Sequence, residues 1–201
     1  MKDYEVNERR DTKETILKSA VKLFSRNGYE QTSIRDIANE ANINCSMINY
    51  HFESKENLLI TILKDLYVSI ASIDELSEND TKEKSQLEHY IRSSVQELFR
   101  LDGISLLFIS EQVHASTPKS RQLITQMEQV HFYRFCKIMD TQRTQLKIKN
   151  SDRDFLYHSI FGMVKQMIIK GRRREISKNH SEKYTVDDIM EYINRNILRS
   201  N

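Results

Sequence analysis

Breakers of regular structure are scarce in this chain. Its 201 residues include 4 Gly and 1 Pro, so little interrupts a helix once one has started. There is no Trp, and the 2 cysteines, Cys45 and Cys136, stand far apart. Two distant thiols make neither a disulfide framework nor a zinc motif, and no metal site is expected. No apolar run approaches the roughly 20 residues that a membrane span requires. The N-terminus, MKDYEVNERR, lacks the apolar core of a signal peptide, and a cytoplasmic location without membrane partners is expected. Excess charge is lacking too: 31 Lys and Arg stand against 29 Asp and Glu, a net +2. That balance argues against a nonspecific polyanion binder. A sequence-specific one with a few placed contacts remains open.

What is present is helical periodicity. Charged residues make up 30% of the chain, and apolar ones recur at intervals of three and four. Asp11 or Thr12 caps a first helix with the stripe Ile16, Leu17, Ala20, Leu23 and Phe24, and residues 1–9 are read as frayed. Gly28 ends this helix. In the segment Thr32–Lys55, TSIRDIANEANINCSMINYHFESK, Ser33 and Asp36 form a short capping box, and Ile34, Ile37, Ala38 and Ala41 share one face. Asn42 occupies the turn, Ile43 plugs the angle, and Asn44 caps the next helix, whose buried side is Ile48 and Phe52. The opposite side, Cys45, Ser46, Met47, Asn49, Tyr50 and His51, is polar and mixed. Two short crossing helices with such a second face form a helix-turn-helix pattern.

The segment resembles the DNA-binding end of TetR-type transcriptional regulators. The likeness rests on the ordered motifs Phe24–Tyr29, Thr32–Ala38, Ile48–Phe52 and Ser54–Leu58, and covers roughly residues 10 to 60. Asn42 replaces the usual turn glycine, and Asn49 stands where Tyr is more usual. The resemblance implies that Tyr50, His51 and Lys55 clamp phosphates, and that Arg35 reaches a base or a phosphate. Thr32 and Ser33, at a helix N-terminus, suit phosphate oxygens as well. Cys45, Ser46, Met47 and Asn49 are the base-facing candidates, since Asn can pair adenine and Met can touch a thymine methyl. Cys45 reads as a contact or packing residue, or alternatively as a redox switch.

Beyond residue 53 the pattern predicts six more helices. The fourth runs from about Ser54 to Leu76, and the polar stretch 77–85 is a loop. The fifth ends at Asp102–Gly103, the sixth spans Ile104–His114, and Thr117–Pro118 opens a seventh reaching about Leu146. The eighth ends near Gly171, with Arg172–Arg174 in the following loop, and Thr185 caps a last helix running to Ile197. The eighth is apolar nearly all round, as a helix buried on two faces would be. By resemblance the last two helices make a homodimer.

The fold expected is all-α: a three-helix head with helix-turn-helix over residues 1–53, and a six-helix regulatory domain over 54–201. The function expected is a DNA-binding regulator, a ligand-released repressor on a near-palindromic operator. The resemblance also implies a small-molecule effector among the later helices. Phe99, Phe108, His114, Met127, His131, Phe135, His158 and Phe161 are the candidate lining, apolar with a few polar groups. A filled core with satisfied histidines is the alternative. No cofactor is expected, and no nucleophile–base set emerges, so the chain is not read as an enzyme.

One rival reading comes from EQVH, which occurs at Glu111–His114 and again at Glu128–His131. Glu-x-x-His on two bundle helices is part of a ferritin-like di-iron oxidase signature. Yet His114 lies just before the turn at Pro118, whereas His131 lies roughly 20 Å along the helix beyond it. Antiparallel helices joined there would not bring the two motifs level.

Overall fold

The structure is a computed structural model, and it describes residues 2–71, 86–141, 152–176 and 184–198. The described residues are helical, in the order α1 (Lys2–Asn27), α2 (Ile34–Ala41), α3 (Cys45–Phe52), α4 (Lys55–Ala71), α5 (Gln86–Arg100), α6 (Asp102–His114), α7 (Pro118–Thr141), α8 (Asp152–Ile176) and α9 (Val186–Ile193). A π-helical turn, Asn194–Leu198, follows α9. The all-α class is as expected, with no strand among the described residues.

Local chemistry sets most of the boundaries. Ser33 and Asp36 close the expected capping box, with Asp36 N donating to Ser33 Oγ at 3.1 Å and Ser33 N to Asp36 Oδ2 at 2.8 Å. Asn42 takes the left-handed conformation, φ 54° and ψ 47°, where Asn is tolerated better than most non-glycine residues. Asn44 Oδ1 accepts from Ser46 N at 2.9 Å and starts α3. Thr117 and Ser120 cap α7 reciprocally, and Thr185 with Asp188 caps α9.

Four boundaries differ from expectation, the first being that of α6, which starts at Asp102 and takes Gly103 into its first turn in place of starting at Ile104. Helix α1 begins at Lys2 and passes through Asp11 and Thr12. Nothing in the preceding run breaks a helix, and Thr15 turns its hydroxyl back to Asp11 O at 2.8 Å instead of Asp11 capping. Helix α8 continues through Gly171 to Ile176, because Arg is a good helix former and one Gly costs only about 1 kcal/mol. The last helix changes to π geometry at Asn194. The expected loop 77–85, the end of α4 at Leu76 and the tail of α7 to Leu146 lie outside the described residues.

Packing divides the chain into two compact units, residues 1–67 with 102–125, and residues 68–101 with 126–201. The core of the first unit holds Ile16, Ala20 and Phe24 of α1, Ile37 and Ala38 of α2, and Ile48 and Phe52 of α3. Leu58, Leu59, Ile62 and Leu63 of α4 and Leu107 and Phe108 of α6 join it. Removing a ring such as that of Phe24 should cost about 3–5 kcal/mol. Helix α6 comes so near α1 that a Cβ on Gly103 would lie 3.0 Å from Val21 Cγ1.

The core of the second unit takes Leu87, Ile91 and Val95 of α5, Phe135 and Met139 of α7, Tyr157, Ile160 and Val164 of α8, and Ile189 and Met190 of α9. Polar contacts hold α9 to α5, with Arg92 Nη1 2.6 Å from Asp187 Oδ1 and Asn194 Nδ2 donating to Glu88 Oε1 at 2.8 Å.

Candidate nucleic-acid interface

Helix α3 turns one side inward and one outward. Ile48 and Phe52 are buried. Ser46, Asn49 and Tyr50 are exposed, Tyr50 at 63%, while Cys45, Met47 and His51 are half-buried. Residues one, three and four apart along a helix share a broad face, so Ser46, Met47, Asn49 and Tyr50 form one outward surface. Arg35 is exposed on the first turn of α2. His51 packs edge-on to Tyr50, and its buried Nε2 has no hydrogen-bond partner among the described residues.

Three of the candidate side chains are engaged within the protein. Thr32 is 1% exposed, and its hydroxyl donates to Gly28 O at 2.8 Å. The Ser33 hydroxyl is held by Asp36 at 2.6 Å. Lys55 Nζ donates to Tyr29 O and to Thr32 O, each at 3.1 Å, and lies 4.0 Å from the centre of the Tyr29 ring. The ammonium thus pins α4 to the entry of α2, with one N–H left for another acceptor.

The junction of α3 and α4 carries a conformation the sequence did not announce. Glu53 has φ 64° and ψ −38°, and Ser54 N donates to Phe52 O at 2.7 Å across it. This is close to a γ-turn of the strained kind. Asn57 Nδ2 steadies the Glu53 carboxylate at 3.2 Å. Such strain persists only where the surroundings over-determine it.

The candidate effector residues separate. Phe108, buried, and His114, exposed, belong to the first unit. In the second, His131, Phe135 and Phe161 come together with Tyr90 and Tyr157. His131 Nδ1 lies 2.8 Å from the Tyr157 hydroxyl and its Nε2 3.4 Å from Ser94 Oγ. Burial, then Lys165 and Arg134, lower its pKa to about 3. Met127 is buried and Phe99 half-buried, while His158 is exposed, 3.4 Å from Asp154. Of the EQVH carboxylates, Glu111 is 2% exposed and accepts from Ser116 N at 2.9 Å. No group of three potential metal ligands occurs among the described residues.

Residues 16–62 match the family described as bacterial regulatory proteins, tetR family. That segment of the chain is of the tetR type. Over 81 residues it is 31% identical to a probable HTH-type transcriptional regulator of Bacillus subtilis, YttP, covering 40% of this chain and 39% of that one. Over 58 residues it is 45% identical to the HTH-type transcriptional repressor NicS of Pseudomonas putida, covering 29% and 27%. The chain thus spans less than two-fifths of these relatives' length. A transcriptional regulator of Aquifex aeolicus shares the fold across 93% of this chain and 98% of its own, with TM-score 0.68 and 22% identity. No helix among the described residues is long and apolar enough to cross a membrane.

Proposed function

We propose that this chain is a tetR-type, sequence-specific DNA-binding transcriptional regulator, a repressor that acts in the cytoplasm as a homodimer and is released by a small molecule. The observation that carries the reading is α3 itself. Its cap and the Asn42 turn fix its angle to α2, and Ser46, Met47, Asn49 and Tyr50 face outward together. A helix so mounted fits the major groove, with base contacts along it and phosphate contacts at its ends. Tyr50, His51 and Arg35 are the proposed phosphate contacts. Lys55 contributes chiefly by holding the helices in place.

Dimerisation is supported by the outer face of α8 and α9. Phe155 is 76% exposed and Tyr192 52%, and a Cβ on Gly162 would meet nothing within 4 Å. Large aromatic groups left in water on the helices through which the resembling proteins dimerise suit a second copy. The effector is assigned to the aromatic cluster around His131, where a neutral imidazole and the Tyr157 hydroxyl are polar groups in apolar surroundings.

Selection of bound fragments from a random duplex pool tests the DNA-binding reading. One enriched near-palindromic motif is expected. A pool with no enriched sequence after repeated rounds overturns it.

A further inference from the structure

A set of charged groups away from the outward face of α3 ties the start of α7 to the reading helices. Lys119 Nζ lies 2.8 Å from Glu56 Oε2, and the Thr117 hydroxyl bonds the same carboxylate. The turn that carries these two residues is stiff. Buried Glu111 accepts from Ser116 N at 2.9 Å and from Ser116 Oγ at 2.5 Å, and Thr117 and Ser120 cap each other at 3.1 Å. On the far side of Glu56, its neighbour Lys55 grips the carbonyls of Tyr29 and Thr32. Thr32 directly precedes Ser33, the cap of α2. Burial, Glu56, Glu30 and Glu111 all act on the Tyr29 phenol, which stands amid these charges.

We infer that Glu56 is a positioning residue, through which the α6–α7 turn sets the attitude of α2 and α3. The inference rests on the proposed DNA-binding function, and neither Glu56 nor Lys119 needs to touch DNA. An exposed ion pair adds little to stability, so its effect appears in the geometry of the head and not in the melting temperature.

The test uses the full chain with Lys119→Glu, with Glu56→Lys, and with both. Two readouts are taken: amide hydrogen exchange over residues 29–37, and affinity for a duplex carrying the selected motif. Each single reversal should speed exchange there and weaken binding about three- to tenfold, with the melting temperature moving by no more than about 4 °C. The double swap, which has the wild-type net charge, should restore both. A mere field effect on DNA would weaken binding for Lys119→Glu and strengthen it for Glu56→Lys. That opposite pattern, or unchanged exchange in both singles, overturns the inference. If the unaltered chain selects no motif, the DNA-binding reading fails by itself, and the exchange data still decide whether the latch exists.

Discussion

Asn42 shows how much one backbone position demands. Its left-handed conformation costs a residue with an ordinary Cβ roughly 1–2 kcal/mol. Asn42→Ala should therefore lower stability by about 1 kcal/mol, whereas Asn42→Gly should be neutral or slightly stabilising; urea melts of the two measure this. His131 makes the matching prediction in pH. Its folded pKa of about 3 lies below the ordinary 6.5, so the unfolded chain binds the extra proton as pH falls. The stability this residue contributes is whole above pH 6.5 and is lost as pH falls toward 3. Between pH 7.5 and 5 the native chain should lose about 2 kcal/mol more than His131→Gln, as paired denaturant titrations would show. Equal losses would mean that the ring is solvated. The turn at Asn42 was legible in the sequence because a cap and an αL residue are local matters. The state of His131 was not, because periodicity places a residue inside without saying what its nitrogens meet.

At the scale of the element, α3 divides into clamp and readout. Asn49→Ala should relax preference at one base position, at about 1–3 kcal/mol if the contact is bidentate, while Tyr50→Phe should weaken all sequences alike. Binding to a panel of single-base variants of the selected motif separates the two. The bounds of α2 and α3 could be read from Ser33, Asp36, Asn42 and Asn44, each of which acts on its own turn. The direction of Lys55 could not, since its acceptors on Tyr29 and Thr32 lie 26 and 23 residues away. The strain at Glu53 likewise has no local signal, for nothing about Glu favours a positive φ. The expected end of α8 at Gly171 failed for a related reason: a lone glycine ends a helix only where a left-handed cap forms. On the outer side of the same helix, Phe155→Asp should convert a dimer to a monomer, as sedimentation would report, because it puts a charge into the proposed seam.

For the whole molecule, the proposed assembly is a twofold dimer with one reading head per chain. The all-α class and the order of the helices followed from periodicity and scarce breakers. The grouping of α6 and the start of α7 with the head did not, because helical stripes tell which face is buried and not which partner covers it. The proposed effector residues could not be sorted for the same reason: Phe108 shares the apolar pattern of Phe135 and Phe161 yet packs in the other unit. Release follows if an effector binds two arrangements of the dimer unequally; a coupling of about 1–3 kcal/mol would lower operator affinity roughly 5- to 150-fold. Everything at this scale depends on two heads reading one site. The most direct measurement is therefore a titration of the intact selected motif against its isolated half, at equal duplex length and salt. The account predicts one dimer per intact site and a large loss of affinity for the half-site. Equal affinities, with one chain bound to each, would contradict it.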